Sequence, residues 1–133
     1  MALEASNYKK AQIANQEFGK VSPTLTTTFE LRLFSDIVDL DGIGTELTNT
    51  GYAPKQFTNN LTNFPSTTDG IKLNAVAIDM DALSEDSDEV QSAGIFDVAT
   101  DELLYRKVFT TPFVIASGNY YNLAIGELKF TAL

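Results

Sequence analysis

Cysteine, histidine and tryptophan are all absent from this chain, and the first two absences each remove a class of chemistry. Without cysteine there is no disulfide cross-link, no thiol nucleophile and no thiolate metal site, and the redox compartment stays open. Without histidine the Ser-His-Asp triad, the Cys-His dyad and the ordinary zinc centre cannot be assembled. Long apolar runs are missing as well: nowhere do about 18 apolar residues follow one another, so no segment reads as spanning a membrane. Met1 to Lys20 lack the apolar core and small-residue cleavage pattern of a secretory signal. Positive charge is scarce, with nine basic against eighteen acidic side chains and a formal net charge of −9. That excess repels nucleic acid and anionic lipid, and neither is expected as a partner.

What is present suits one domain. The chain has 133 residues, 44% of them apolar, enough to bury a core without metal or disulfide staples. From Ser6 to Phe18 the apolar positions Tyr8, Ala11, Ala14 and Phe18 recur at helical spacing, with Ser6 placed as N-cap and Gly19 as terminator. This predicts a helical arm over residues 1–20. Ser22-Pro23 breaks the pattern, and residues 21–133 are short runs rich in Thr, Phe, Val, Ile and Tyr punctuated by Gly, Asn, Asp and Pro, the pattern of a β domain.

Between Thr27 and Ser35, Phe29, Leu31 and Leu33 alternate with Thr28, Glu30 and Arg32, the period of a half-buried strand. Tyr52 to Phe57 forms a second candidate, with Pro54 confined to an edge or bulge. A third runs from Ile71 to Ile78, with Ile71, Leu73, Ala75 and Ala77 on one side. Gln91 to Val98 and Leu103 to Phe109 read as the arms of a hairpin turning at Asp97 to Asp101, and the apolarity of the first arm points to central burial. Tyr121, Leu123 and Ile125 differ in parity from Leu128, Phe130 and Ala132, which requires a bulge or bend at Gly126. The fold expected is mainly β: an antiparallel β-sandwich, with a jelly-roll order as one option, carrying a short N-terminal helix.

Without histidine or cysteine most hydrolase mechanisms fall away, although two carboxylates would suffice for glycoside hydrolysis. The acidic side chains cluster in loops, and no catalytic or cofactor-binding residue is assigned. Asp36, Asp39 and Asp41, beside Gly42, come nearest to a calcium site, but aligning Gly42 with the EF-hand glycine puts Ile37 and Thr48 where the first and last acidic ligands belong. A solvated turn is the simpler reading. The run Asp79, Asp81, Glu85, Asp86, Asp88, Glu89 is read likewise as a solvated loop extended by its own repulsion. Asn74, Asn119, Tyr120 and Tyr121 offer the amides and aromatic faces of carbohydrate recognition, though tyrosines in strands more often serve core or interface.

Several ordered features extend from Phe29 to Leu133. They are Phe29-Glu30-Leu31-Arg32-Leu33-Phe34-Ser35; Gly44-Thr45-Glu46-Leu47 through Gly51-Tyr52-Ala53-Pro54-Lys55-Gln56-Phe57; Ala93-Gly94-Ile95-Phe96-Asp97-Val98-Ala99-Thr100; Leu103-Leu104-Tyr105; Thr111-Pro112-Phe113-Val114-Ile115; Ser117-Gly118-Asn119; and Gly126-Glu127-Leu128. In this order they resemble short virion structural proteins of tailed bacteriophages, variously labelled tail-fibre or head-decoration proteins. The resemblance implies a protein without catalytic residues, made in the host cytoplasm and incorporated into the virion. It also implies a homo-oligomer, expected as a homotrimer, that docks on the major capsid protein or on tail proteins. A capsid decoration or cement role is placed first, a tail-fibre or spike component second, and a carbohydrate-binding β-sandwich module third. The interface residues expected are Tyr8 and Phe18 on the helix and Leu128, Phe130 and Leu133 on the last strand, which could augment a neighbour's sheet.

Overall fold

The computed structural model describes residues 3–131. The chain is mainly β and antiparallel, with one short helix. A two-residue strand β1 (Glu4–Ala5) precedes helix α1 (Asn7–Glu17) and is followed by strands β2 (Thr28–Phe34), β3 (Lys55–Thr58), β4 (Ile71–Leu73), β5 (Ile78–Asp79), β6 (Val90–Asp97), β7 (Leu103–Phe113), β8 (Asn122–Leu123) and β9 (Lys129–Thr131). Five strands form an open sheet in the order β1-β7-β6-β2-β3, while β4-β9 and β5-β8 form two-stranded ribbons.

β6 occupies the centre of the sheet, as its near-continuous apolarity implies. It pairs on one side with β2, Leu31 opposite Ile95 and Leu33 opposite Ala93, and on the other with β7 in the predicted hairpin. The hairpin closes where Asp101 N–H donates to the Asp97 carbonyl and Ala99 N–H to the Asp97 carboxylate. One face of the sheet supplies Leu31, Leu33, Ala93 and Ile95 to the main core, and the ribbons and their connections supply Ile78, Met80, Leu83, Ile115, Leu123 and Leu128. On the opposite face Phe34, Val38, Phe96 and Leu103 make a smaller core. The Arg32 guanidinium lies 4.0 Å over the Phe96 ring and pairs with Glu30 and Asp101. The face of β2 that alternation marks as polar is therefore covered as well.

Helix α1 matches its signals. Ser6 is the N-cap, its side chain accepting from Lys9 N–H, and Phe18 is the C-cap, its N–H donating to the Ala14 carbonyl. None of its residues is buried. The chain ahead of it is tied to the sheet by β1, whose Glu4 and Ala5 face Arg106 and Tyr105 of β7, and Glu4 forms an ion pair with Arg106.

The Ile71–Ile78 expectation requires correction. The segment is two short strands broken at Asn74, and the residue that enters the core is Ile78, whereas Leu73 is exposed. Asn74 itself is buried: its amide donates to the Val76 and Ala124 carbonyls and accepts from Leu128 N–H. Those bonds knit the two ribbons together and stop the strand from running straight. The parity change near the end is resolved by a bend, with Gly126 at φ +83° between β8 and β9. Asn74 O accepts from Gly126 N–H at the same junction.

Candidate interaction surface

The acidic loops are built as structural elements. The Asp36 carboxylate accepts from Thr45 N–H at 2.8 Å, and a single Asp39 oxygen accepts from both Asp41 and Ile43 N–H at 2.9 Å. Asp41 accepts from the Asn7 side chain, fastening the start of α1 to this loop. The three aspartates singled out for calcium thus close a turn, and among the described residues no group of three or more acidic ligands converges as a metal site.

Residues 79–89 are more ordered than a self-repelling run implies. Met80, Leu83 and Ser87 are buried. Glu85 accepts from Thr50 N–H, and Asp86 from Ser117 N–H. Ser87 Oγ donates to the Asp88 carbonyl and accepts from Ile115 N–H. Backbone bonds from Met80 to Tyr121, Leu83 to Asn119 and Ser84 to Thr50 complete the anchoring. All six acidic side chains are exposed, so the segment is the solvated loop expected, but it is fastened to the core and not extended by its repulsion. Apolar residues interleaved with the acids, at 80, 83 and 90, draw the segment onto the core, and backbone donors neutralise part of its repulsion.

Gly51 and Tyr52 complete this arrangement. Gly51, at φ +91°, lies so close to residues 82–84 that a Cβ would sit 2.8 Å from the Ala82 carbonyl oxygen and 2.9 Å from Ser84 N. The Tyr52 hydroxyl donates to Glu46 and accepts from Leu33 N–H. It caps the outer edge of β2 beyond Leu31, where pairing with β3 stops. Burial, and secondarily Glu46, push the Tyr52 pKa well up.

The other sequence-selected residues separate into surface and interior. Asn119, Tyr120 and Tyr121 line one shallow depression beside Phe113, against which Tyr121 stacks at 5.6 Å. Asn74 is buried in the ribbon junction and cannot join them. Phe18 is 87% exposed and Tyr8 sits at the edge of exposure. Leu128 is fully buried in the main core, and Phe130 packs against it. Leu133 lies outside the described residues.

A groove that sequence reading did not anticipate lies between α1, residues 23–26, residues 59–61 and the sheet, with a volume of about 520 Å³. Its floor is aromatic: Phe29, Phe64, Tyr105 and Phe130 meet with ring centroids 5.1–6.2 Å apart. Leu25 and Leu61, both largely exposed, stand at it, together with Lys9 and Lys72. No aspartate or glutamate lines it. Lys72 donates to the Phe64 and Pro65 carbonyls and Lys9 to the Gln12 amide oxygen. Burial lowers the Lys9 pKa, against the opposing pull of Asp97. Its members come from six separate stretches of chain, and local periodicity carries no signal for it.

Residues 4–131 match the family model Gp80, described as podophage GP4 fiber I protein gp80. The chain belongs to this family. The match takes in β1 and α1 as well as the strands that follow. No curated protein matches. Membership makes the chain a phage virion structural protein, in agreement with the resemblance drawn from the ordered motifs. Among the described residues no helix is long and apolar enough to cross a membrane.

Proposed function

We propose that this protein is a tail-fibre component of a podophage particle, acting by attachment and self-association and without catalysis. The observation that carries this reading is the fibre-family match over nearly the whole described chain. It favours the fibre over the capsid decoration role that sequence motifs alone placed first. The site geometry supports a mechanical role. The carboxylates of Asp36, Asp39, Glu85 and Asp86 hold loop backbone, and an aromatic groove is open on the surface. Copies of the chain and neighbouring tail proteins are its partners in this reading. Quantitative mass spectrometry of purified particles, with imaging of labelled protein, tests the placement. Few copies confined to the tail are expected; copies arrayed over the shell would return the protein to a decoration role.

A further inference from the structure

We propose that the groove between α1 and the sheet receives Phe18 of a second copy of this chain. The chain has nine phenylalanines. Eight of them, at 29, 34, 57, 64, 96, 109, 113 and 130, lie in or against the two cores. Phe18 alone projects into solvent, 87% exposed, at the end of a helix none of whose residues is fully buried, with Val21 also exposed just beyond it. An unburied aromatic ring is costly in water, and an aromatic-floored groove of about 520 Å³ is large enough for it. Every copy carries both the projecting ring and the groove, so the contact can be made reciprocally or around a closed ring.

Charge selects the same pairing. Glu17 and Lys20, both exposed, flank Phe18, whereas Lys9 and Lys72 line the groove and no acid does, the nearby Asp97 accepting from Thr26. An acidic residue next to an aromatic anchor thus meets a basic rim around an aromatic floor. Two copies each of charge −9 repel one another, and the lysines at the groove offset part of that repulsion for an incoming Glu17. The proposal does not rest on the fibre placement, because it concerns association in solution.

Sedimentation equilibrium of the full chain tests it. The wild type is expected to associate reversibly, and Phe18→Ala to weaken association about 30-fold or more, the loss of a central aromatic anchor. Its far-UV circular dichroism should not change, nor its melting temperature at a concentration where the wild type is monomeric, since the ring touches no core. Glu17→Lys should also weaken association, and Lys72→Glu added to it should restore most of the loss. Leu61→Glu, at the groove and exposed, provides a variant on the receiving side. A chain monomeric at millimolar concentration overturns the proposal, as does association that is indifferent to both Phe18→Ala and Leu61→Glu. Either result leaves particle location, and so the fibre reading, untouched.

Discussion

The Tyr52 hydroxyl does work that no backbone group is placed to do. β3 pairs with β2 only from Thr28 to Leu31. Beyond it Glu46 bridges to Phe34, and Leu47 N–H donates to the Leu33 carbonyl. The Leu33 N–H is left to the tyrosine oxygen, which accepts it at 3.0 Å while donating to Glu46 at 2.7 Å. Leu33 itself is buried, which makes an unsatisfied donor there expensive. Tyr52→Phe keeps the ring and its packing and removes both bonds. Urea unfolding of this variant should show a loss of about 1–3 kcal/mol with an unchanged denaturant slope. A variant as stable as wild type would mean that water reaches the Leu33 edge. Ser92 serves similarly on the other face, fully buried, donating to the Asp36 carbonyl and accepting from Val38 N–H.

At the level of elements, the Gly51 motif and the acidic segment form one unit. Residues 82–84 rest on the glycine backbone, and the bonds from Thr50 to Glu85 and from Asp88 N–H to Asn49 hold the two stretches in register. Gly51→Ala meets two obstacles together: a positive φ and a Cβ within 3 Å of backbone atoms that cannot rotate away. It should destabilise by about 2 kcal/mol or more. Amide exchange should quicken at residues 83–87 while β6 keeps its protection; uniform exchange changes across the chain would contradict a local unit. Much of this architecture was legible in the chain. Alternation gave β2, apolarity gave β6 and its hairpin, and Ser6 and Gly19 bounded α1, because these signals are local. The break at Asn74 was not legible, since it depends on Ala124 and Leu128, about fifty positions away in sequence. β1 is two residues long and shows no period. Among the candidate interface residues, Phe18 is exposed at the helix end, where an apolar residue stands out locally, while Leu128, equally apolar in sequence, is interior. The groove, assembled from distant stretches, had no local trace.

For the whole molecule, three half-buried tyrosines tie the cores to proton chemistry at high pH. Tyr105 and Tyr121 pack against the main core, and Tyr52 joins them from the β2 edge. Burial raises the pKa of all three; for Tyr121 burial and then Glu127 push it to about 12 from an ordinary 10.0. The folded-state value exceeds the unfolded one, so the contribution of these groups is fully present below about pH 10. It is lost as pH rises toward 12, because the unfolded chain releases these protons first and mass action draws it from the folded state. Because the rings share one core, their ionisation should coincide with loss of structure. An alkaline titration followed at once by tyrosinate absorbance and far-UV circular dichroism is expected to show a cooperative transition above pH 10, and Tyr121→Phe should move it to higher pH. Full ionisation of all five tyrosines near pH 10 with the dichroism intact would mean that the rings are solvated, and that the packing between sheet and ribbons is looser than the contacts of Tyr121 with Phe109 and Phe113 require.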